Sequence, residues 1–140
     1  MFDLILLLNA IWFAMGFYAF AVRSKIFAKT LVAREHRDTP VFDMFAETGK
    51  FLGGFNAAFC VLNVLVLINP AVFPEAGQRI ILCATFAIAH GSQFLPNAFI
   101  ALDNQKGTGV WQVKGRMRFI FITDLVLMLA NIAIVVIYSC

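Results

Sequence analysis

The chain has 140 residues, of which 61% are hydrophobic and only 14% carry a charge. Soluble domains average about 45–50% apolar and about 25% charged residues. A domain of this length has too little interior to hide so much apolar surface from water. The composition therefore excludes a soluble globular protein, a disordered chain and a nucleic-acid-binding module, although the net charge is +3. It predicts a single integral membrane domain over residues 1–140.

Four apolar runs divide the chain. They cover residues 4–22, 51–68, 80–102 and 119–138 and contain 18 to 23 residues each. About 20 residues of helix cross the hydrocarbon core of a bilayer. Backbone groups in lipid must be paired internally, and the runs lack the alternation of barrel strands, so each is predicted to be a helix. The sequence predicts an all-α fold, a four-helix transmembrane bundle with antiparallel up-down topology.

The polar segment before the second run contains a helix start. Thr39 suits an N-cap. Pro40 suits the first helical position, because an amide hydrogen at that position has no partner within the helix and proline loses nothing by lacking one. We therefore expect the second helix to begin near Pro40, and we predict helices over about 4–22, 40–69, 80–102 and 119–138. The first run lacks a basic leader and a small-residue cleavage site, so we expect a retained helix instead of a signal peptide.

Lysine and arginine are distributed unequally among the joins. Segment 23–50 carries six of them, segment 69–79 one, and segment 103–118 four. Cytoplasmic loops of membrane proteins carry the excess of basic residues. We therefore expect loops 23–50 and 103–118 to be cytoplasmic and both termini to be outside. The short joins favour a bacterial inner membrane.

Each apolar run carries polar or small residues seven positions apart. The pairs are Asn9 and Gly16, Asn56 and Asn63, His90 and Asn97, and Asp124 and Asn131. Seven residues are two turns in a left-handed bundle, so each pair lies on one helix face. Polar side chains are costly in lipid and usually face the bundle interior. The four polar faces are therefore expected to meet at a common axis.

The rise of about 1.5 Å per residue divides these polar residues between two depths. The layer nearer the cytoplasm is predicted to contain Asn56, Gln93, Asn97 and Asp124. The other layer is predicted to contain Asn9, Asn63, His90 and Asn131. An unpaired carboxylate at this depth would cost several kcal/mol. We therefore predict that Asp124 points into the bundle and bonds at least one amide of its own layer.

The polar faces allow two interpretations. Amides and histidine can simply hold membrane helices together, or they can line a cavity for a ligand, an ion or a proton. Some of the faces could also contact partner subunits. The candidate ligand or proton site consists of His90, Gln93, Asn97, Asp124, Asn56, Asn63, Asn131 and Asn9. Gly49 and Gly53 add a small-residue face that suits either internal packing or homodimerisation.

No motif in the sequence indicates catalytic residues, a metal site or a cofactor. The preferred function is a non-enzymatic scaffold or accessory subunit that binds membrane lipid or a partner membrane protein. One alternative is a small transporter or channel-like protein with Asp124 and His90 as proton-linked groups. Another is a membrane enzyme acting on a lipid or apolar substrate, with His90 as general acid and base. Such an enzyme requires His90 to line an accessible cavity.

Overall fold

The computed structural model describes residues 1–140 and consists of helices joined by short turns, without strands. The α-helices are α1 (Phe2–Phe17), α2 (Ser24–Leu31), α3 (Pro40–Ile68), α4 (Ala76–Lys106) and α5 (Arg116–Ser139). A π-helical turn, Tyr18–Val22, continues α1. The all-α prediction is confirmed, with one short helix in addition to four long ones.

Three of the long helices are long and apolar enough to cross a membrane. They are α1 with its π-helical turn, α3 and α5. The fourth, α4, has 31 residues but is less apolar, because His90, Gln93 and Asn97 interrupt its central turns. The chain therefore has the helices of an integral membrane protein, and α4 differs in composition from the other long helices.

The short helix α2 was not predicted from the sequence. Its eight residues are too few to be stable alone, since isolated helices of that length are marginal in water. Packing stabilises it, because Ala28 is buried against Phe42 and Ala46 at the start of α3. A polar segment between two membrane helices thus folds back as a helix on the surface of the bundle.

The helix ends follow local capping rules. The Thr39 side-chain oxygen accepts a hydrogen bond from the Phe42 amide at 3.3 Å, directly before Pro40. Glu75 and Gln78 form a reciprocal capping box at the start of α4. The helix therefore begins at Ala76, four residues before the apolar run at residue 80. Gly107 ends α4 in the left-handed conformation, with φ of 79°. The observed helix α4, Ala76–Lys106, therefore extends beyond the predicted helix 80–102 at both ends.

The long helices pack as two pairs, α1 with α3 and α4 with α5, with far less contact between the pairs. Small residues let α1 and α3 approach closely. A Cβ atom added to Gly53 would lie 2.6 Å from the Cβ atom of Ala21 and 2.8 Å from its backbone nitrogen. The Gly49–Gly53 face is thus occupied by packing within the chain.

One apolar core joins the two pairs at the end of the bundle that holds both chain termini. Its buried residues are Phe2, Ile5, Leu6, Phe13, Val66, Leu82, Cys83, Phe86 and Ile134. Toward the opposite end, which holds α2 and the α4–α5 loop, the pairs separate. The candidate site lies at the boundary between the closed and the open part.

Candidate functional site

A buried polar network crosses between the helix pairs next to the apolar core, on the side away from the chain termini. Its members are Asn9 and Trp12 from α1, His90 from α4, and Asp124 and Asn131 from α5. Apart from the half-buried Trp12, each of them is at most 2% exposed. We refer to these five residues as the central network.

Two asparagines form the inner end of the central network. Asn131 Nδ2 donates to the Leu127 carbonyl oxygen at 2.8 Å and to Asn9 Oδ1 at 3.1 Å. Asn9 Nδ2 donates back to Asn131 Oδ1 at 3.0 Å. Because a backbone carbonyl can only accept, the Asn131 atom beside Leu127 must be the amide nitrogen. That contact fixes the orientation of both amides and directs Asn9 Oδ1 toward α4.

His90 links this amide pair to the carboxyl group of Asp124. Its Nε2 atom lies 3.1 Å from Asn9 Oδ1, and its Nδ1 atom lies 3.1 Å from Asp124 Oδ1. Since Asn9 Oδ1 is an acceptor, Nε2 carries the hydrogen. The Phe13 ring stacks on the imidazole at 5.0 Å between centroids, with 15° between the planes. Both the position and the tautomer of His90 are therefore defined by its neighbours.

One proton lies between His90 and Asp124. With Nε2 protonated, the 3.1 Å contact of Nδ1 with Asp124 Oδ1 is favourable either as imidazolium with carboxylate or as imidazole with carboxylic acid. Both forms leave the pair with no net charge, which keeps the cost of burial low. The indole Nε1 of Trp12 donates a further hydrogen bond to Asp124 Oδ1 at 2.8 Å.

A cavity of about 450 Å³ lies between the helix pairs, with Trp12, His90 and Asp124 among its lining residues. Most of the lining is apolar and includes several phenylalanines, while Asn56, Gln93 and Arg116 supply further polar groups. Cavities of about 300–1,000 Å³ that are mostly apolar and contain a few polar groups are typical small-molecule sites. The geometry is therefore that of a binding pocket with a polar floor.

The π-helical turn of Tyr18–Val22 forms part of the cavity wall. Ala19 and Phe20 from this turn line the cavity, and the Phe20 ring contacts the Phe27 ring of α2 at 4.1 Å between centroids. Single π-helical turns in α-helices occur often at functional sites, because the extra residue re-aims the side chains that follow. Here the turn brings α2 against the open end of the cavity.

The predicted partners of Asp124 were wrong, although its carboxyl group does point into the bundle. Its hydrogen bonds go to His90 and Trp12, and none goes to an amide of the predicted cytoplasmic layer. That layer was predicted to supply Asn56, Gln93 and Asn97. Asp124 instead bonds to His90 of the other layer, in which Asn9, His90 and Asn131 do bond to one another. The predicted cytoplasmic layer does not form.

The remaining asparagines of the predicted site, Asn56, Asn63 and Asn97, bond to their own helices. Nδ2 of Asn56, Asn63 and Asn97 donates to a carbonyl oxygen four residues earlier, at 2.8, 2.8 and 2.9 Å respectively. Asn97 Oδ1 also accepts from the Trp111 indole at 3.2 Å. Asn63 Oδ1 is the one wholly buried side-chain polar atom without a partner. Gln93 is exposed and contributes only to the cavity wall.

Two residues of the site were missed from the sequence, Trp12 and Phe13. Trp12 lies three residues after Asn9, which places both on one face of α1. This spacing beside the polar position Asn9 was the available signal. Phe13 lies in the first apolar run without a distinguishing signal, and its contact with His90 depends on the meeting of α1 and α4.

No protein-family model, curated protein or solved structure matches the chain. Function resides in sites and is not implied by a helical fold alone. The central network and the cavity beside it are therefore the features from which a function can be inferred.

Proposed function

We propose that this chain is a non-enzymatic membrane protein that binds a small, mostly apolar molecule in the cavity between its two helix pairs. The observation that carries the proposal is the cavity itself, about 450 Å³ with an apolar wall and a polar floor at Trp12, His90 and Asp124. A lipid-soluble molecule can bury its apolar body there and direct a polar group at that floor. Binding membrane lipid fits the same chemistry.

The hydrogen bonds of His90 favour binding over catalysis. A general base must reach the proton of a substrate. Both nitrogens of His90 are instead engaged by protein groups, Nδ1 by Asp124 and Nε2 by Asn9. Transport receives less support, because the apolar core closes the bundle between the central network and the end that holds the termini.

We further propose that α4 crosses the membrane together with α1, α3 and α5. Its exposed face carries Ile81, Ile88, Leu95 and Phe99, which is the composition of a lipid-facing stripe. Its polar residues His90 and Asn97 are buried instead. A helix with an apolar outer face and an inward polar face is typical of a membrane bundle that encloses a site.

The proposed orientation has loops 23–50 and 103–118 in the cytoplasm and both termini outside, in a bacterial inner membrane. Support comes from the ten basic residues in these two loops against one in segment 69–79. The exposed apolar faces are proposed to contact membrane lipid. A second copy of the chain, or a partner membrane protein, stays a prediction from the sequence.

Binding can be measured through the Trp12 indole, which lines the cavity. The chain has two tryptophans, so Trp111→Phe leaves Trp12 as the only indole fluorophore. We expect 1-naphthol, added to the purified protein in lipid nanodiscs, to quench this fluorescence with saturation. Ala19→Phe places a large ring in the cavity and is expected to abolish the saturable component.

The matched control is Ala58→Phe, which adds the same ring at an exposed position of α3 outside the cavity. This variant is expected to bind 1-naphthol as the parent protein does. Quenching that increases linearly with 1-naphthol and is identical in all three proteins would indicate partition into lipid and would overturn the proposed function.

A further inference from the structure

Asp124 has one oxygen atom that no protein group uses. Asp124 Oδ1 accepts a hydrogen bond from the Trp12 indole and contacts His90 Nδ1. No side chain or backbone group bonds to Asp124 Oδ2. Among side-chain polar atoms without a hydrogen-bond partner, only Asn63 Oδ1 is wholly buried. Oδ2 of Asp124 also has no partner, so it must retain some accessible surface. Asp124 lines the cavity, and Oδ2 is its carboxyl oxygen without a protein partner.

The proton shared with His90 makes Oδ2 a hydrogen-bond acceptor. In the imidazolium form, Oδ2 belongs to a carboxylate. In the neutral form, the proton on Oδ1 bonds to Nδ1, so Oδ2 is the carbonyl oxygen of the acid. A proton on Oδ2 would either bring two acceptor atoms together at 3.1 Å or give the buried pair a net positive charge. Both are costly in an apolar site.

We infer that the cavity recognises an amphipathic alcohol, an apolar body bearing a hydroxyl group that donates to Asp124 Oδ2. The inference rests on the proposed function and names the class of ligand that the same cavity binds. A ketone, ether or ester offers only acceptor atoms. Such an atom placed against Oδ2 would bring two acceptors into contact. A cationic amine donates but adds a charge to a cavity that Arg116 already lines.

Asp124 is therefore the specificity-determining residue, and His90 positions it. The His90 contact at Nδ1 and the Trp12 contact both fix Oδ1, so the carboxyl group cannot rotate to bond elsewhere without losing them. A site built to hydrogen-bond a hydroxyl discriminates strongly against analogues that lack one, because its buried acceptor is then left unpaired. The apolar part of the lining contributes affinity without discriminating among polar groups.

The test compares two probes of similar shape, 1-naphthol and 1-methoxynaphthalene, in nanodiscs of the Trp111→Phe protein. We expect 1-naphthol to bind about tenfold more tightly, as one hydrogen bond to a charge-bearing group allows. Asp124→Ala removes Oδ2 and is expected to reduce the preference to less than about twofold. Its binding of the ether is expected to persist, which also shows that the variant is folded.

The outcomes separate the inference from the proposed function. Equal binding of the two probes by the protein with Asp124 overturns the inference and leaves the proposed function intact, and so does a preference that survives Asp124→Ala. Failure of both probes to bind saturably overturns the proposed function and the inference together. If Asp124→Ala binds neither probe, the comparison of the two probes in the protein with Asp124 decides the matter.

Discussion

The two kinds of helix interface in this bundle are built differently. Within the α1–α3 pair, Gly53 faces Ala21 and the backbones approach closely. Between the pairs, the contacts near the middle of the bundle are the hydrogen bonds that Asn9 and Trp12 of α1 make to α4 and α5, with a cavity beside them. One interface is specified by shape and the other by polar chemistry.

The same residue type behaves differently in the two interfaces. Asn56 and Asn63 on α3 donate to carbonyl groups of their own helix, whereas Asn9 and Asn131 bond to each other across helices. Lipid gives no hydrophobic driving force between helices, so association depends on packing and on such cross-helix bonds. The less closely packed interface is where the chain has room for a ligand.

The largest expected effect comes from breaking the central network at its contact between α4 and α5. His90→Leu removes the partner of a buried carboxyl group, and loss of one member of a buried pair costs about 3–5 kcal/mol. We expect the free energy of unfolding in mixed micelles to fall by about 3 kcal/mol. Asp124→Leu together with His90→Leu is expected to lose less than the sum of the two single changes. Strict additivity would show that the two side chains are not coupled.

Overfilling the interface within a pair is expected to have the next largest effect. A methyl group on Gly53 would meet backbone atoms of Ala21, 2.8 Å away at the nitrogen, so the helices must separate. We expect Gly53→Ala to lower the free energy of unfolding by about 1–3 kcal/mol. Gly54 is the matched control, since a Cβ atom there meets nothing within 4 Å. Equal losses at the two positions would contradict close α1–α3 packing.

A smaller difference is expected between two buried asparagines. Asn131→Leu removes a bridge to Asn9, and cross-helix bonds in membranes are worth about 1 kcal/mol. Asn63→Leu removes an amide whose Oδ1 has no partner, so we expect its unfolding free energy to be unchanged or raised. A larger loss at Asn63 than at Asn131 would invert the comparison of the two interfaces.

The sequence predicts helix faces better than contacts between helices. Heptad spacing correctly directed Asn9, His90, Asp124 and Asn131 inward, because the geometry of a single helix determines which residues share a face. The axial offset between neighbouring helices is not determined by hydropathy, and a shift of about one turn, 5.4 Å, exchanges one set of partners for another. For this reason the Asp124 partners were predicted wrongly.

Two features of the fold depend on contacts that no local pattern reveals. Helix α2 is stabilised by burying Ala28 against α3, and its eight residues are too few to form a stable helix alone. The cavity exists because the α1–α3 and α4–α5 pairs separate on one side of the apolar core. Polar residues in the apolar runs suggested such a space but could not distinguish it from closely packed structural bonds.

The smallest effect is expected outside both interfaces, at the ion pair of Lys25 and Asp43. The two groups are exposed, with 2.7 Å between Nζ and Oδ1. The hydrogen bond that Lys25 donates to the Asp43 carboxylate, together with the negative charge of that carboxylate, raises the pKa of Lys25. A raised lysine pKa means that any stabilisation is complete below the ordinary pKa and is lost as the pH rises through the raised value.

Lys25→Met is therefore expected to leave the free energy of unfolding at neutral pH nearly unchanged, and added salt should make the variant and the parent indistinguishable. Unfolding of both proteins at low and high ionic strength measures this. A loss comparable with that of Gly53→Ala would show that the ion pair supports the helix pairs.

The central claim concerns the series of hydrogen bonds that runs from the Leu127 carbonyl oxygen through Asn131 and Asn9 to His90. These bonds place the proton of the His90 ring on Nε2. The chain has two histidines, so His36→Gln leaves His90 as the only imidazole. Nitrogen-15 solid-state NMR of this variant in lipid bilayers reports the protonation of each ring nitrogen directly. We expect a protonated Nε2, with Nδ1 either protonated or strongly hydrogen-bonded to Asp124. A neutral ring with its proton on Nδ1 and a bare Nε2 would contradict the account.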